Sequence, residues 1–197
     1  MQATTLVREP LANRPDPAFP RVHGLHHVAY RCKDAEETRH FYEDILRLPL
    51  IAIVTQDTVP STGEYCPYFH LFFELADGSC VAFFDLFDGK ATAPDPATPA
   101  WVNHLALQVA NDADLEEAHK RLVAAGVEVL GPIDHKNVHS IYFFDPNGIR
   151  LELTCVANTP AIRQKRMTDA RELMKRWSQI RKETAARLEK EKAASAA

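Results

Sequence analysis

One unit, a strand, a helix and three further strands, is written twice along this chain, and that repetition restricts the fold more than any other feature. In the first copy GLHHVAYRC (24–32) runs from a turn into strand-like apolar residues. KDAEET follows, with Asp34 placed as a helix N-cap and Glu37 three residues on, so a helix to about Leu46 is expected. LIAIVT (50–55), YFHLFFEL (68–75) and SCVAFFDL (79–86) read as strands, the last two joined by a turn at Ala-Asp-Gly. After the Pro/Ala/Thr-rich GKATAPDPATPA the order returns. WVNHLALQV is a strand, ADLEEAHKRLVAAG a helix closed by Gly126, VEVLGP a strand, and SIYFFDPNGIRLELT a hairpin turning at Pro146-Asn147-Gly148. The expected organisation is an extension (1–21), a first βαβββ module (22–87), a linker (88–100), a second module (101–156) and a charged helix (157–197).

A duplicated unit of this size implies that neither half closes its sheet alone. The fold expected is therefore α+β, with two tandem modules forming one curved mixed sheet, helices outside it, and a C-terminal helix added. Alternate residues of a strand share a face. Val28 and Tyr30 then oppose His27, Leu105 and Leu107 oppose His104, and Leu151 and Leu153 oppose Glu152. With the apolar set under the helices, His27, His104 and Glu152 are expected on the concave side. Two imidazoles and one carboxylate are the donors of a facial triad, which leaves open positions on a divalent metal. Taken singly, each reads as well as a half-buried histidine or a solvated glutamate; the equivalent placement of both histidines carries the argument.

Composition narrows the partners. At 197 residues with 46% apolar content the chain builds one substantial core or two small fused ones. Net charge is −4, yet residues 161–197 carry 11 Lys+Arg against 5 Asp+Glu, so the body before them is acidic. An acidic body without a basic, aromatic-interleaved surface argues against nucleic acid. Cys32, Cys66, Cys80 and Cys155 have no C-x-x-C spacing, which argues against a zinc knuckle or a disulfide scaffold and fits reduced thiols in the cytoplasm. The first twenty residues lack an apolar leader and no apolar run reaches membrane length, so neither export nor membrane insertion is expected.

On these residues the chain resembles the vicinal oxygen chelate superfamily over roughly 22–156, a group that includes glyoxalase I, methylmalonyl-CoA epimerase, fosfomycin and bleomycin resistance proteins and type I extradiol ring-cleavage dioxygenases. The run IDHKNVHSIYFFDPNGIRLE (133–152) is similar to that of the extradiol enzymes, in which a histidine is followed by an apolar residue and tyrosine, then Asp-Pro-x-Gly and a ligand glutamate. The resemblance implies that His27, His104 and Glu152 hold Fe(II), with Mn(II) as the alternative. It implies that His135 is an acid/base and Tyr142 a hydrogen-bond donor near a substrate oxygen. His70, flanked by aromatics on the third strand, is a further acid/base candidate, and Tyr65, Tyr68, Phe69 and Phe83 serve equally well as core or substrate wall.

Aligning Gly78 with Gly148 puts Ala82 where Glu152 stands, so the fourth protein ligand of glyoxalase I-like members is absent there. Asp85 falls on the opposite face and reads as structural; Glu74 is the weaker substitute. The implied activity is aromatic compound catabolism by a compact dioxygenase acting on a catechol-like substrate and O2. Its rivals are a metal-dependent isomerase, lyase or epimerase, and a drug- or metabolite-binding protein. The C-terminal helix, with only a broken stripe at Met167, Leu173, Met174, Trp177, Ile180 and Leu188, is expected either to join copies into a homo-oligomer or to cover the pocket mouth; a solvated helix is the plain alternative, above all beyond Ala185.

Overall fold

In a computed structural model of the protein, residues 22–92, 95–136, 138–156 and 159–195 are described. The extension 1–21 lies outside them. The chain divides into two units, Met1–Thr92 and Ala93–Ala197, at a point inside the expected linker.

In the first unit β1 (His27–Cys32) leads to α1 (Ala35–Arg39), whose N-cap Asp34 accepts the Glu37 N–H at 2.7 Å. The helix widens into a π turn over His40–Ile45, where Leu46 N–H reaches the Phe41 carbonyl at 3.0 Å, and both Phe41 and Tyr42 are buried there. β2 (Leu50–Thr58), β3 (Tyr65–Glu74) and β4 (Cys80–Asp85) complete a four-stranded sheet in the order β1-β4-β3-β2. β1 and β4 are parallel and the other pairs antiparallel. The face under α1 is an aromatic core, in which Tyr42 stacks on Phe73 at 5.3 Å and lies 4.8 Å from Phe83. Asp85 holds the start of the helix by accepting Ala35 N–H at 2.9 Å, as its outward face suggested.

The second unit repeats this order with β5 (Leu105–Gln108), α2 (Asp112–Ala124), β6 (Leu130–Asp134), β7 (Val138–Phe144) and β8 (Arg150–Val156), in the sheet order β5-β8-β7-β6. Its core is mainly aliphatic: Leu107, Leu115, Leu122, Ile141, Leu151 and Leu153, with Phe143. Apolar residues on one face of α2 and alternate residues of the strands meet there, and removing that area from water is what holds helix to sheet.

The described strands form two mixed sheets of four, one in each of the tandem modules, and three expected elements differ in extent. The strand expected over VEVLGP begins three residues later, because Val127 N–H is taken by the Leu122 carbonyl as α2 ends through Gly126 (φ 79°). The strand expected over WVNHLALQV shrinks to Leu105–Gln108, since Trp101–Asn103 lie in turns, with Val102 N–H on the Pro99 carbonyl. The C-terminal segment forms two helices, α3 (Pro160–Lys175) and α4 (Trp177–Ser195), and neither buries a residue. Among the described residues no helix is long and apolar enough to cross a membrane.

Candidate metal centre

β7 and β8 pair so that Ser140 stands opposite Thr154 and Tyr142 opposite Glu152. Directly opposed residues share a face, so these four polar side chains come together on the side away from α2. Glu152 is buried, and its Oε1 accepts from Ser140 Oγ at 2.5 Å and from Tyr142 Oη at 3.3 Å. Ser140 is held in turn 3.1 Å from Thr154 Oγ1. Two hydroxyl donors thus occupy one carboxylate oxygen and turn the other, Oε2, toward His104, whose Nε2 is 3.0 Å away.

His104 sits just before β5, and its Nδ1 lies 3.2 Å from the Val102 carbonyl. A carbonyl only accepts, so Nδ1 carries a proton. The neutral ring then points the Nε2 lone pair at the lone pairs of Glu152 Oε2, an arrangement that is repulsive unless a second proton or a cation lies between. Backbone carbonyls that fix the far nitrogen of a histidine, and hydroxyls that fix a carboxylate, are the supports found behind metal ligands. The separation also fits: two adjacent ligands of an octahedral ion with bonds of about 2.1 Å lie roughly 3.0 Å apart. His104 and Glu152 therefore suit two positions on a divalent ion. No group of three or more His, Cys, Asp or Glu side chains is arranged as a metal site among the described residues.

His135 reaches the same cluster. It lies in the turn between β6 and β7, with its N–H on the Val138 carbonyl at 2.8 Å, and its Nε2 is 3.1 Å from Tyr142 Oη. Burial, followed by the charge of Glu152, raises the Tyr142 pKa above its usual value, so the phenol remains a proton donor at neutral pH. His104, Glu152, Tyr142 and His135 thus form one run of polar contacts, hydrogen-bonded from Glu152 through Tyr142 to His135. His139, on the other face, is bound instead by Asp112 at 2.8 Å.

The remaining two candidates belong to the first unit. His27 opens β1 in register with Cys80, is exposed, and shares a 2.7 Å Nδ1–Nδ1 hydrogen bond with His26. His70 is buried and stacks on Phe84 at 3.6 Å between ring centres. Its Nδ1 donates to the Phe83 carbonyl at 3.0 Å, and burial lowers its pKa, which keeps the ring neutral. The rings of His27 and His70 lie 5.9 Å apart. Of the aromatics proposed as core or wall, Phe83 and Tyr68 are buried and Tyr65 is exposed.

Sequence reasoning passed over Ser140, Thr154 and Arg150. The signal was available: each lies two residues from Tyr142 or Glu152 on a strand, hence on the same face. Arg150 places its guanidinium carbon 4.6 Å from the centre of the Tyr142 ring.

Solved structures share this fold. A glyoxylase/bleomycin resistance protein/dioxygenase domain from Frankia sp. EAN1pec superposes with a TM-score of 0.58 at 20% identity, over 70% of this chain and 95% of that one. A glyoxalase/dioxygenase from Nostoc punctiforme gives 0.53 at 22% identity, over 76% and 100%. The fosfomycin resistance protein FosX from Listeria monocytogenes, solved with Mn(II) and sulfate, gives 0.52 at 23% identity, over 73% and 99%. At these identities the likeness is one of fold. The sequence model of a family matches residues 24–153, both repeats and every polar residue of the cluster up to Glu152; the chain belongs to the Glyoxalase/Bleomycin resistance protein/Dioxygenase superfamily.

Proposed function

We propose that the protein is a divalent-metal enzyme of the extradiol type, which opens a catechol-like ring with dioxygen. The observation that carries this reading is the unbroken run from His104 through Glu152 and Tyr142 to His135, two metal-type donors continuous with two proton-handling groups. His104 Nε2 and Glu152 Oε2 would hold the ion. Bound Fe(II), or Mn(II), would supply Lewis acidity to two adjacent hydroxyls and a route for electrons to dioxygen.

The chain's own residues do the rest. Ser140 occupies Glu152 Oε1, so Oε2 stays on the His104 side and would serve a metal without reorganisation. Tyr142, kept protonated by burial, donates to a substrate oxygen seated beside Glu152. His135 is exposed and its Nε2 lies against Tyr142 Oη; since that phenol donates to Glu152, Nε2 carries the proton, gives it to the substrate side and takes it back. His70, neutral with its Nε2 uncommitted, is the corresponding acid/base in the first unit. Both atoms of dioxygen end in the product as one ring carbon–carbon bond breaks, so no external reductant is needed.

Anaerobic purification with metal analysis, followed by oxygen-electrode assay on a panel of catechols, tests the proposal. Iron-dependent oxygen uptake with ring-opened product is expected. Turnover with Mn(II) and no oxygen uptake would replace it with an isomerase, lyase or epimerase, and stoichiometric ligand binding without metal would replace it with a binding protein.

A further inference from the structure

We propose that Arg150 is the anion-binding residue of this site and that the substrate bears a carboxylate on a flat apolar body; the inference rests on the site reading above and adds the substrate's chemical class. Arg150 stands two residues before Glu152 on β8 and so shares its face. Its guanidinium carbon lies over the Tyr142 ring, 4.6 Å from the centroid, and a guanidinium that rests on an aromatic ring still has N–H groups to offer an anion. Among the described residues it makes no ion pair. Two arginines of the first unit are committed to acids: Arg31 is paired with Asp88, and Arg39 with Glu36, Glu43 and Asp44.

The neighbours of Arg150 are apolar and uncovered. Its partner across the β7–β8 pair is Phe144, 51% exposed, and the partner of Tyr142 on β6 is Leu130, 58% exposed. Opposed residues share a face, so Leu130, Tyr142 and Phe144 form an apolar strip with a free guanidinium at one end and the His104–Glu152 pair beside it. A ring laid on that strip would meet the Glu152 carboxylate, which accepts from a ring hydroxyl, and a fork of N–H groups at Arg150. A carboxylate is the group whose two oxygens match that fork.

Calorimetric titration of the purified protein under anaerobic conditions, with a catechol bearing an acetic acid side chain and with its methyl ester, reads the inference directly. The acid should bind about tenfold or more tightly than the ester, the size expected for a hydrogen bond to a charged group. Arg150→Met should bring the two affinities together by weakening the acid alone, and Arg150→Lys should keep part of the preference. Absence of an acid preference in the wild type, including failure to bind either probe, would overturn the inference. So would a preference that survives Arg150→Met, or a loss shared equally by acid and ester, which assigns Arg150 to propping Tyr142. Ring opening is read separately as oxygen uptake: preference for the acid without oxygen consumption keeps the anion site and removes the ring-cleavage reading.

Discussion

In the first sheet Ala29 pairs with Ala82, Phe72 stands opposite Ala82, and His70 opposite Phe84; in the second, Ala106 pairs with Glu152, Tyr142 stands opposite Glu152, and Ser140 opposite Thr154. The registers match step for step, and His27 and His104 each lie two residues before the paired alanine. What differs is the chemistry mounted on one frame. The first sheet fills these positions with rings: His70 packs 4.1 Å from Phe72 and stacks on Phe84, and His27 lies edge-on to Phe72. The second fills them with hydroxyls and a carboxylate that satisfy one another. Backbone pairing alone therefore does not make a site; the exchange of Phe72, Ala82 and His70 for Tyr142, Glu152 and Ser140 does.

The largest effect expected from breaking that difference is on metal binding. His104→Ala or Glu152→Ala should abolish it while the fold persists, because Leu105, Leu107, Leu151 and Leu153 still fill the helix-facing side. Adding Ala82→Glu to Glu152→Ala should not restore it, since position 82 is fully buried and lacks the hydroxyl partners that orient Glu152. Metal content by plasma emission decides both. Full occupancy in either single variant would remove the centre from the second sheet, and rescue by the double variant would make the two frames interchangeable.

Next come the proton-handling groups. His135→Gln and Tyr142→Phe should retain iron and lose about 10²–10⁴-fold in turnover, the usual cost of removing a positioned acid or base. Wild-type oxygen uptake by both would reduce the pair to a loop histidine and a packing tyrosine. A smaller loss is expected at Ser140: Ser140→Ala should weaken metal affinity by about 10–100-fold, as for other groups that orient a ligand. A competitive chelator titration measures it, and an unchanged affinity would mean that Glu152 is oriented without Ser140.

The smallest expected effect is a pH dependence whose sign is set by His139 in the second sheet. His139 matches Phe69 of the first sheet, and its pKa is raised, first by the hydrogen bond and charge of Asp112 and then by Asp134. A raised folded-state pKa gives stability that is fully present below the unfolded value near 6.5 and is lost as pH rises through the folded one. Melting temperature should therefore fall slightly as pH rises above 6.5, and Asp112→Asn should flatten that slope. An identical slope in the variant would place the titration elsewhere.

Much of this was legible beforehand. Hydrophobic alternation gave the strands, Asp34 and Gly126 gave the helix ends, and the alignment of Gly78 with Gly148 gave the correct match of Ala82 to Glu152, because each is a local or periodic property. The start of β6 was not legible. Val127 reads as strand by composition, but a hydrogen bond closing the preceding helix claims its N–H. Gly131 was not legible either: at φ 120° it passes the β7 backbone so closely that a Cβ would sit 2.8 Å from the Ser140 carbonyl, a constraint set by a residue nine positions away.

Residue order alone settled which side chains can share a face: the period of two put His135's neighbour Tyr142, Ser140, Arg150 and Glu152 on common sides of their strands. It also supplied the duplicated frame. Only the folded chain decided that Glu152 spends one oxygen on Ser140 and Tyr142 and aims the other at His104, that the Val102 carbonyl fixes the proton on His104, and that Arg150 lies on Tyr142 with no ion pair among the described residues. These outcomes depend on strand register and on turns that bring residues dozens of positions apart within hydrogen-bond reach. Periodicity states which way a side chain points along its own strand, and carries no information about which atom of another strand it meets.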